Sequence, residues 1–386
     1  MDIPIAFLVS ILSYEYLVRY GNGKFVEQKE NKIMIEICIG PLFLLIFVCI
    51  ECVFLAKFQK VKLPWNEIIM NLNSGHILLW LFRGGELYVF YLVYTNFSFQ
   101  LLDKWHYGWY FGFAFIAWDF CFYWLHRLHH KIKLLWFVHE VHHQAEHFNI
   151  SLGIRNSWFS SITSIPFFLP LAIIGVNTET FLMVSSVHYF IQFYNHNAIV
   201  KRSGFLEIFM VTPALHKVHH AVNPEYIDKN CGGTFNIWDR IFGTYQAQIE
   251  EVPLELGLKT KYSSNNPFWI NIVPFKKNKI IHEKYADNII WFIASLITFL
   301  HLVIYIRMES SDTNLYLMVL VFSSIFISTI AIGGIISEKK WGFKLWLIVV
   351  FGINWVNVVL SEYDGLLLTC SSALVLFTVF YHFLKK

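Results

Sequence analysis

The chain has 386 residues and a formal net charge of only +3; 56% of the residues are hydrophobic, 18% aromatic and 15% charged. With a positive mean hydropathy, that composition excludes a soluble enzyme with an oily core and points to a polytopic membrane protein. The small charge gives no footing for nucleic acid, and the basic residues sit beside apolar runs, where they read as topology signals.

Seven apolar runs are long enough, or nearly so, to cross a hydrocarbon core that takes ~20 helical residues. The first, residues 3–18, is short, carries Glu15, and lacks the basic start and small-residue cleavage site of a removable signal peptide. Residues 35–58 and 77–94 follow. Cys49 and Cys52 form a CxxC inside the former, a setting that argues against redox or metal chemistry. Arg83 and Glu86 stand at i, i+3 in the latter, as a functional intramembrane pair or a helix-to-helix salt bridge.

The central stretch from Leu101 to Lys279 holds thirteen of the seventeen histidines. Arg127, Lys131, Lys133, Lys201, Arg202, Lys217 and Arg240 accompany them, which places this stretch at the cytoplasmic face. Its apolar segments at 158–175 and 181–194 either enter the bilayer or line a lipid-facing cavity. Residues 259–274 read as a linker. Four further spans follow, at 289–306, 315–336, 345–360 and 366–383. Lys276, Lys277, Lys279 and Lys284 precede the first; Lys339, Lys340 and Lys344 separate the second from the third; Lys385 and Lys386 end the chain. Glu309, Asp312, Glu362 and Asp364 occupy the opposite ends, so the Lys-rich ends and the C-terminus are expected in the cytoplasm. The chain thus divides into N-terminal transmembrane helices (1–100), a histidine-rich domain (101–279) and C-terminal transmembrane helices (280–386).

Residues 124–143 read WLHRLHHKIKLLWFVHEVHH. Positions i, i+3 and i+4 share a helix face, so His126 and His130 form an HxxxH pair, with His129 as a further candidate. His139, His142 and His143 form HxxHH, and the pattern returns at His216, His219 and His220. Each cluster is expected to project two or three imidazoles in one direction. Neutral imidazole is a good ligand for iron, zinc or copper. Eight such residues, with His196 in QFYNHN as a ninth, exceed what one tetrahedral ion can use and suit two ions with open positions. The other histidines, among them His76, His106, His282, His301 and His382, read as satisfied polar groups, while His147 and His188 lie near the clusters and stay open.

Residues 139–143 also fit HExxH, in which two histidines hold zinc and Glu140 serves as the base of a protease. That reading leaves the remaining clustered histidines unused. A metal transporter or sensor is a third class. No dinucleotide fingerprint or haem motif occurs, so electrons must come from outside the chain.

The order of these boxes, HxxxH, HxxHH, a single histidine, then HxxHH, resembles the fatty acid hydroxylase superfamily of membrane-bound di-iron oxygenases. WDFCFYWLHR, HHQAEHFNISLGIRNS, TPALHKVHHAVNPEYIDKN, IWDRIFGTY and, upstream, NLNSGHI are most similar to the branch that cleaves ether lipids. The resemblance places ligands on His126, His130, His139, His142, His143, His216, His219 and His220, with His196 between the boxes. It implies an all-α membrane protein, a transmembrane base under a cytosolic histidine-rich helical cap. It further implies two Fe ions, O2, a lipid substrate and an external electron donor. That donor would be tetrahydrobiopterin in the ether-lipid branch and a redox protein such as cytochrome b5 or ferredoxin in others. The expected reaction hydroxylates the carbon beside the ether oxygen of an alkylglycerol and releases a fatty aldehyde; a sterol or fatty acyl hydroxylase or desaturase is the alternative. The membrane would be the plasma membrane of a bacterium or the endoplasmic reticulum of a eukaryote.

Several polar residues could support the metal ligands. Asp119 precedes His126 by two helical turns and could orient an imidazole, as could Asn230 and Asp239; an ordinary cap or surface pair is the alternative for each. Glu146 and Asn149 follow the second box and could touch the metal shell or a lipid headgroup. Arg155 is a candidate to receive a phosphate or a glycerol hydroxyl.

Overall fold

A computed structural model describes residues 26–74, 76–259, 264, 266–275, 289–309, 314–362 and 364–384. The expected first span at 3–18, Asp312 and the lysines at 276, 277, 279, 284, 385 and 386 lie outside these residues. The chain is about 72% helical and, among the described residues, has no strand; only two isolated bridges occur, Met210 with Phe235 and Ala221 with Leu256. In chain order the helices are α1 (Val26–Lys57), α2 (Trp65–Asn73), α3 (His76–Phe97), α4 (Tyr107–Lys131), α5 (Lys133–His143), α6 (Ser160–Ile174), α7 (Thr178–Tyr194) and α8 (Pro213–His219). They continue as α9 (Ile237–Ile241), α10 (Pro267–Ile272), α11 (Ile290–Glu309), α12 (Leu315–Ile336), α13 (Lys340–Ile348), α14 (Asn354–Leu360) and α15 (Gly365–Leu384). Part of the expected linker at 259–274 is therefore helical. Pro267 starts α10 at a position that needs no donor, and the Asn266 side chain caps it.

Five described segments are long and apolar enough to cross a membrane: Gly40–Lys57, Ile290–Met308, Leu315–Ile336, Lys340–Leu360 and Gly365–Leu384. The fourth is α13 and α14 joined through a π-turn at Val349–Ile353. The expected span at 77–94 falls in α3, which is not among the five described segments that qualify, and the apolar segment at 158–175, left open between entering the bilayer and lining a cavity, corresponds to the shorter apolar helix α6.

The chain forms two compact units. One comprises 1–81, 262–273 and 279–386. Inside it α11 packs against α1, α2, α12 and α15. Trp291 and Trp346 meet edge to face at 5.3 Å, and Trp346 Nε1 donates to Thr378 Oγ1. Asn73 Nδ2 donates to Ser295 Oγ, so buried polar groups bond to one another where lipid offers no partner.

The second unit, 82–261 with 274–278, carries the histidines. Here α4 packs against α5, α6 and α7 around fully buried Trp118, which stacks on Phe122, Phe168 and His188. Ile132 takes extended dihedrals between α4 and α5, and the break swings α5 back so that the first two boxes face each other. The α6–α7 turn needs Gly175: its φ is +124°, and a Cβ there would sit 3.2 Å from the Gln100 backbone. Asn177 then caps α7 through its Oδ1.

Candidate metal centre

The nine expected histidines come together, in two groups. One contains His126, His130, His139, His143 and His219; the other contains His142, His196, His216 and His220. Within each, one ring nitrogen per residue lies within 4.8 Å of all the others. The boxes do not each serve one centre. Neighbouring residues on a helix point about 100° apart, so His142 turns to one group while His139 and His143 turn to the other. In the last box His219 parts from His216 and His220 in the same way. The groups adjoin: the His143 and His220 rings stack at 4.4 Å.

Four rings have their Nδ1 proton fixed by a backbone carbonyl. Nδ1–H of His126 donates to Cys231 O (2.9 Å), of His142 to Arg155 O (2.8 Å), of His196 to Gln192 O (2.7 Å) and of His219 to Lys229 O (2.8 Å). Each is left with a bare lone pair on Nε2. His142 Nε2 and His196 Nε2 nevertheless lie 3.0 Å apart, and His216 Nε2 is 2.9 Å from His196 Nε2. In the other group His139 Nε2 is 3.0 Å from His126 Nε2 and 3.1 Å from His143 Nε2. Buried Nε2 atoms of His130 and His219 have no hydrogen-bond partner. The lone pairs of His142 and His196 face each other with no proton between them and repel unless a cation sits among them; with the other ring nitrogens gathered beside them in two groups, the donor set fits two imidazole-bound metal ions.

Burial, first, and then the neighbouring imidazoles push His126, His139, His143, His196, His216 and His220 well below the ordinary histidine range. Burial and His130 do the same to His219, and burial takes His142 to about 4. These rings are neutral at physiological pH, the form that binds metal. Trp136 covers the first group, with its ring 5.2 Å from His130, and Phe148 covers the second, 5.8 Å from His196.

The expected supporting residues act mainly through the backbone. Asp119 does not reach an imidazole of either group. Its oxygens accept from Thr234 N, Phe235 N and Trp238 Nε1, and burial raises its carboxyl to about 6. Gly233 is needed beside it, since a Cβ would lie 2.7 Å from the Phe122 ring. Asp239 accepts from Cys231 N, Gly232 N and Thr244 Oγ1. That clamp fixes the peptide whose carbonyl holds His126. Asn230, at φ +52°, donates to Leu215 O and Gln246 O and fixes the turn whose Lys229 carbonyl holds His219. Asn149 caps the turn Ile150–Ile154 by accepting from Ser151 N. Glu146 is exposed. His129 Nε2 pairs with Thr163 Oγ1 and belongs to neither group. Cys49 and Cys52 lie in α1 as free thiols and join neither group.

Arg155 grips the end of the second box: Nε donates to Val141 O and Nη2 to Gln144 Oε1, and its own carbonyl holds His142. His188 is fully buried, with Nε2–H donating to Phe115 O and Nδ1 accepting from Thr234 Oγ1. It supports the same loop as Asp119. Sequence reasoning missed Asp228, whose Oδ1 lies 3.6 Å from His130 Nδ1 and whose Oδ2 pairs with Lys131. His130, then Lys131, hold its carboxyl at about 2. The available signal was an acid in the PEYIDKN turn just past the last box.

A fatty acid hydroxylase family model matches residues 111–244. Alkylglycerol monooxygenase of Danio rerio is 35% identical over 190 residues, 48% of this chain and 42% of that protein. Alkylglycerol monooxygenase of Homo sapiens is 32% identical over 214 residues, 52% and 48% of the two chains. Ornithine lipid hydroxylase OlsE of Rhizobium tropici is 28% identical over 144 residues, 37% and 44%. The matched region thus spans about half the length of these relatives or less. No solved structure matches the chain. The segment that is similar to the fatty acid hydroxylase family, 111–244, holds all nine clustered histidines.

Proposed function

We propose that this chain is a membrane-bound di-iron lipid monooxygenase that hydroxylates the carbon next to the ether oxygen of an alkylglycerol. The observation that carries the reading is the pair of His142 and His196, whose lone pairs face each other at 3.0 Å with both Nδ1 protons already donated elsewhere. His126, His130, His139, His143 and His219 would hold one iron, and His142, His196, His216 and His220 the other. Bound there, the two irons supply the redox chemistry that activates O2 with two external electrons.

The chain itself holds the imidazoles neutral, aims four of them through backbone carbonyls and packs Trp136 and Phe148 against the two groups. In the net reaction one atom of O2 enters a C–H bond and the other leaves as water, with two electrons and two protons from tetrahydrobiopterin or a redox protein. The weakest C–H bond of an ether lipid lies beside the ether oxygen. Its hydroxylation gives a hemiacetal, which collapses by moving the hydroxyl proton to the ether oxygen. The C–O bond breaks, leaving a fatty aldehyde and glycerol. Similarity to alkylglycerol monooxygenases supports this substrate over a sterol or acyl chain. The three-part division at 100 and 279 and a cytoplasm-facing centre belong to the same proposal, as does the plasma membrane or endoplasmic reticulum as its site.

Membranes bearing the protein, supplied with alkylglycerol, sterol and fatty acyl lipids under labelled O2 with and without tetrahydrobiopterin, test the reading beside a His142→Ala control. Pterin-dependent aldehyde, lost in the variant, is the expected product. Label in a sterol or acyl chain overturns the substrate, and no oxygenated product under any reductant overturns the oxygenase.

A further inference from the structure

In the five-histidine group, His126 and His219 turn Nδ1 to backbone carbonyls, Cys231 O and Lys229 O. His130 does not. Its Nδ1 faces the Asp228 carboxylate, with Oδ1 within ion-pair reach at 3.6 Å, and its Nε2 is buried without a hydrogen-bond partner. A carboxylate beside Nδ1 holds the ring proton there and leaves the Nε2 lone pair for a metal. It also raises the basicity of the ring as a ligand, since a full negative charge acts where a carbonyl offers only a dipole. In the other group, His142 and His196 have carbonyls in that place.

Two features fix Asp228. Lys131 follows His130 at the end of α4, and its Nζ donates to Asp228 Oδ2 at 2.5 Å. One carboxylate oxygen is thus tied, and the other is left to the ring. The Asp228 backbone stands at φ +60°, a conformation that aspartate and asparagine adopt more readily than most residues. The next residue, Lys229, supplies the carbonyl that holds His219, and Asn230 pins the turn to Leu215 O and Gln246 O. The turn 228–230 therefore reaches two rings of one group, one through a carbonyl and one through a carboxylate. The side chains of Asp228 and Lys131 are 26% and 54% exposed, and an ion pair that open to water adds little stability by itself. Its placement against a ring nitrogen is the feature with a consequence for the metal.

We propose that Asp228, held by Lys131, is a positioning residue that sets the tautomer and direction of His130 and strengthens one iron site, that of His126, His130, His139, His143 and His219. The inference rests on the two-iron reading above. The site of His142, His196, His216 and His220 gains nothing from it, so the two irons differ in affinity and in electronic environment.

Anaerobic titration of the stripped full-length protein with isotopically enriched ferrous iron, read by Mössbauer spectroscopy in lipid nanodiscs, tests this without turnover. His196→Ala assigns the signals, because His196 belongs to the four-histidine group only. Asp228→Asn removes the charge and keeps a residue that suits the turn. It is expected to weaken iron binding in the five-histidine group roughly 10- to 100-fold and to shift that group's signal, with the other group unchanged. Lys131→Met keeps the carboxylate and is expected to weaken the same site by less. Unchanged iron affinity in Asp228→Asn, with thermal stability lowered equally in both variants, makes the pair a surface clamp and overturns the proposal. Equal weakening of both groups by Asp228→Asn also overturns it. One ion per wild-type chain, bound more weakly in Asp228→Asn, supports the role of Asp228 and overturns the two-iron reading alone.

Discussion

His142 Nε2 and His196 Nε2 stand 3.0 Å apart although the Nδ1 proton of each ring is donated to a carbonyl, Arg155 O for one and Gln192 O for the other. Two neutral acceptors at that distance have nothing to share, so the contact makes sense as two ligands of one ion. His196 belongs to the four-histidine group only. Its replacement by alanine is therefore expected to remove one iron and spare the other. Iron analysis of purified His196→Ala should give about half the wild-type content, with activity lower by about 100-fold or more. Loss of both irons would mean that the groups are not separately loaded.

Residues 139–143 still offer an HExxH alignment, and the geometry separates the two readings. His139 and His143 share their group with His126, His130 and His219, a set larger than a three-ligand zinc protease site. Glu140→Gln preserves the side chain's shape and removes its charge, so oxygenase turnover is expected to stay within about threefold of wild type. His216→Ala, in the other group, is expected to abolish it. A protease would give the reverse, which assays of lipid oxidation and peptide cleavage on the same two variants would reveal.

Much of this centre was legible because helical spacing ties residue number to direction. HxxxH and HxxHH announce imidazoles on one side of a helix, and nine of them announce more than one ion. What spacing could not show is how a box divides. His142 and His143 are neighbours in sequence and ligands of different groups, because one residue turns the helix by about 100°. Nor could it show Asp228, whose approach to His130 depends on a left-handed turn with φ +60°. For Asp119 the spacing leaves two roles open, orienting an imidazole or an ordinary cap or pair; in the fold its oxygens accept from three donors of the loop at 234–238. The apolar spans were readable from hydropathy, whereas the break at Ile132 that brings the first two boxes together left no composition signal.

The Asp239 carboxylate accepts three donors and steadies the Cys231 peptide, whose carbonyl holds His126. An asparagine there keeps one oxygen but turns a donor toward a donor. Asp239→Asn is expected to lower stability by about 1–3 kcal/mol and to weaken iron binding in the five-histidine group roughly 10- to 100-fold. Thermal unfolding would read the first effect and iron titration of the stripped protein the second. Lost stability with unchanged iron affinity would reduce Asp239 to a loop clamp with no influence on the metal.

Arg83 and Glu86 form an ion pair one helical turn apart in α3. Arg83 Nη2 donates to Ser185 Oγ of α7, Ser164 Oγ of α6 donates to Glu86, and the guanidinium lies 5.4 Å from the Phe181 ring centre. The pair is thus satisfied inside the helical bundle and ties α3 to its neighbours, a structural role. Arg83→Met strands a buried carboxylate and is expected to destabilise by about 3–5 kcal/mol. Arg83→Met/Glu86→Met removes both charges, and the hydroxyls lose little: Ser164 can turn its proton to Ser161 O, and Ser185 donates to Leu182 O. The double variant is expected to recover most of the loss, since apolar replacements of buried ion pairs are often neutral. Denaturation midpoints of the three proteins in one detergent would decide it, with activity following stability. A double variant as stable as wild type but inactive would instead place the pair in the reaction.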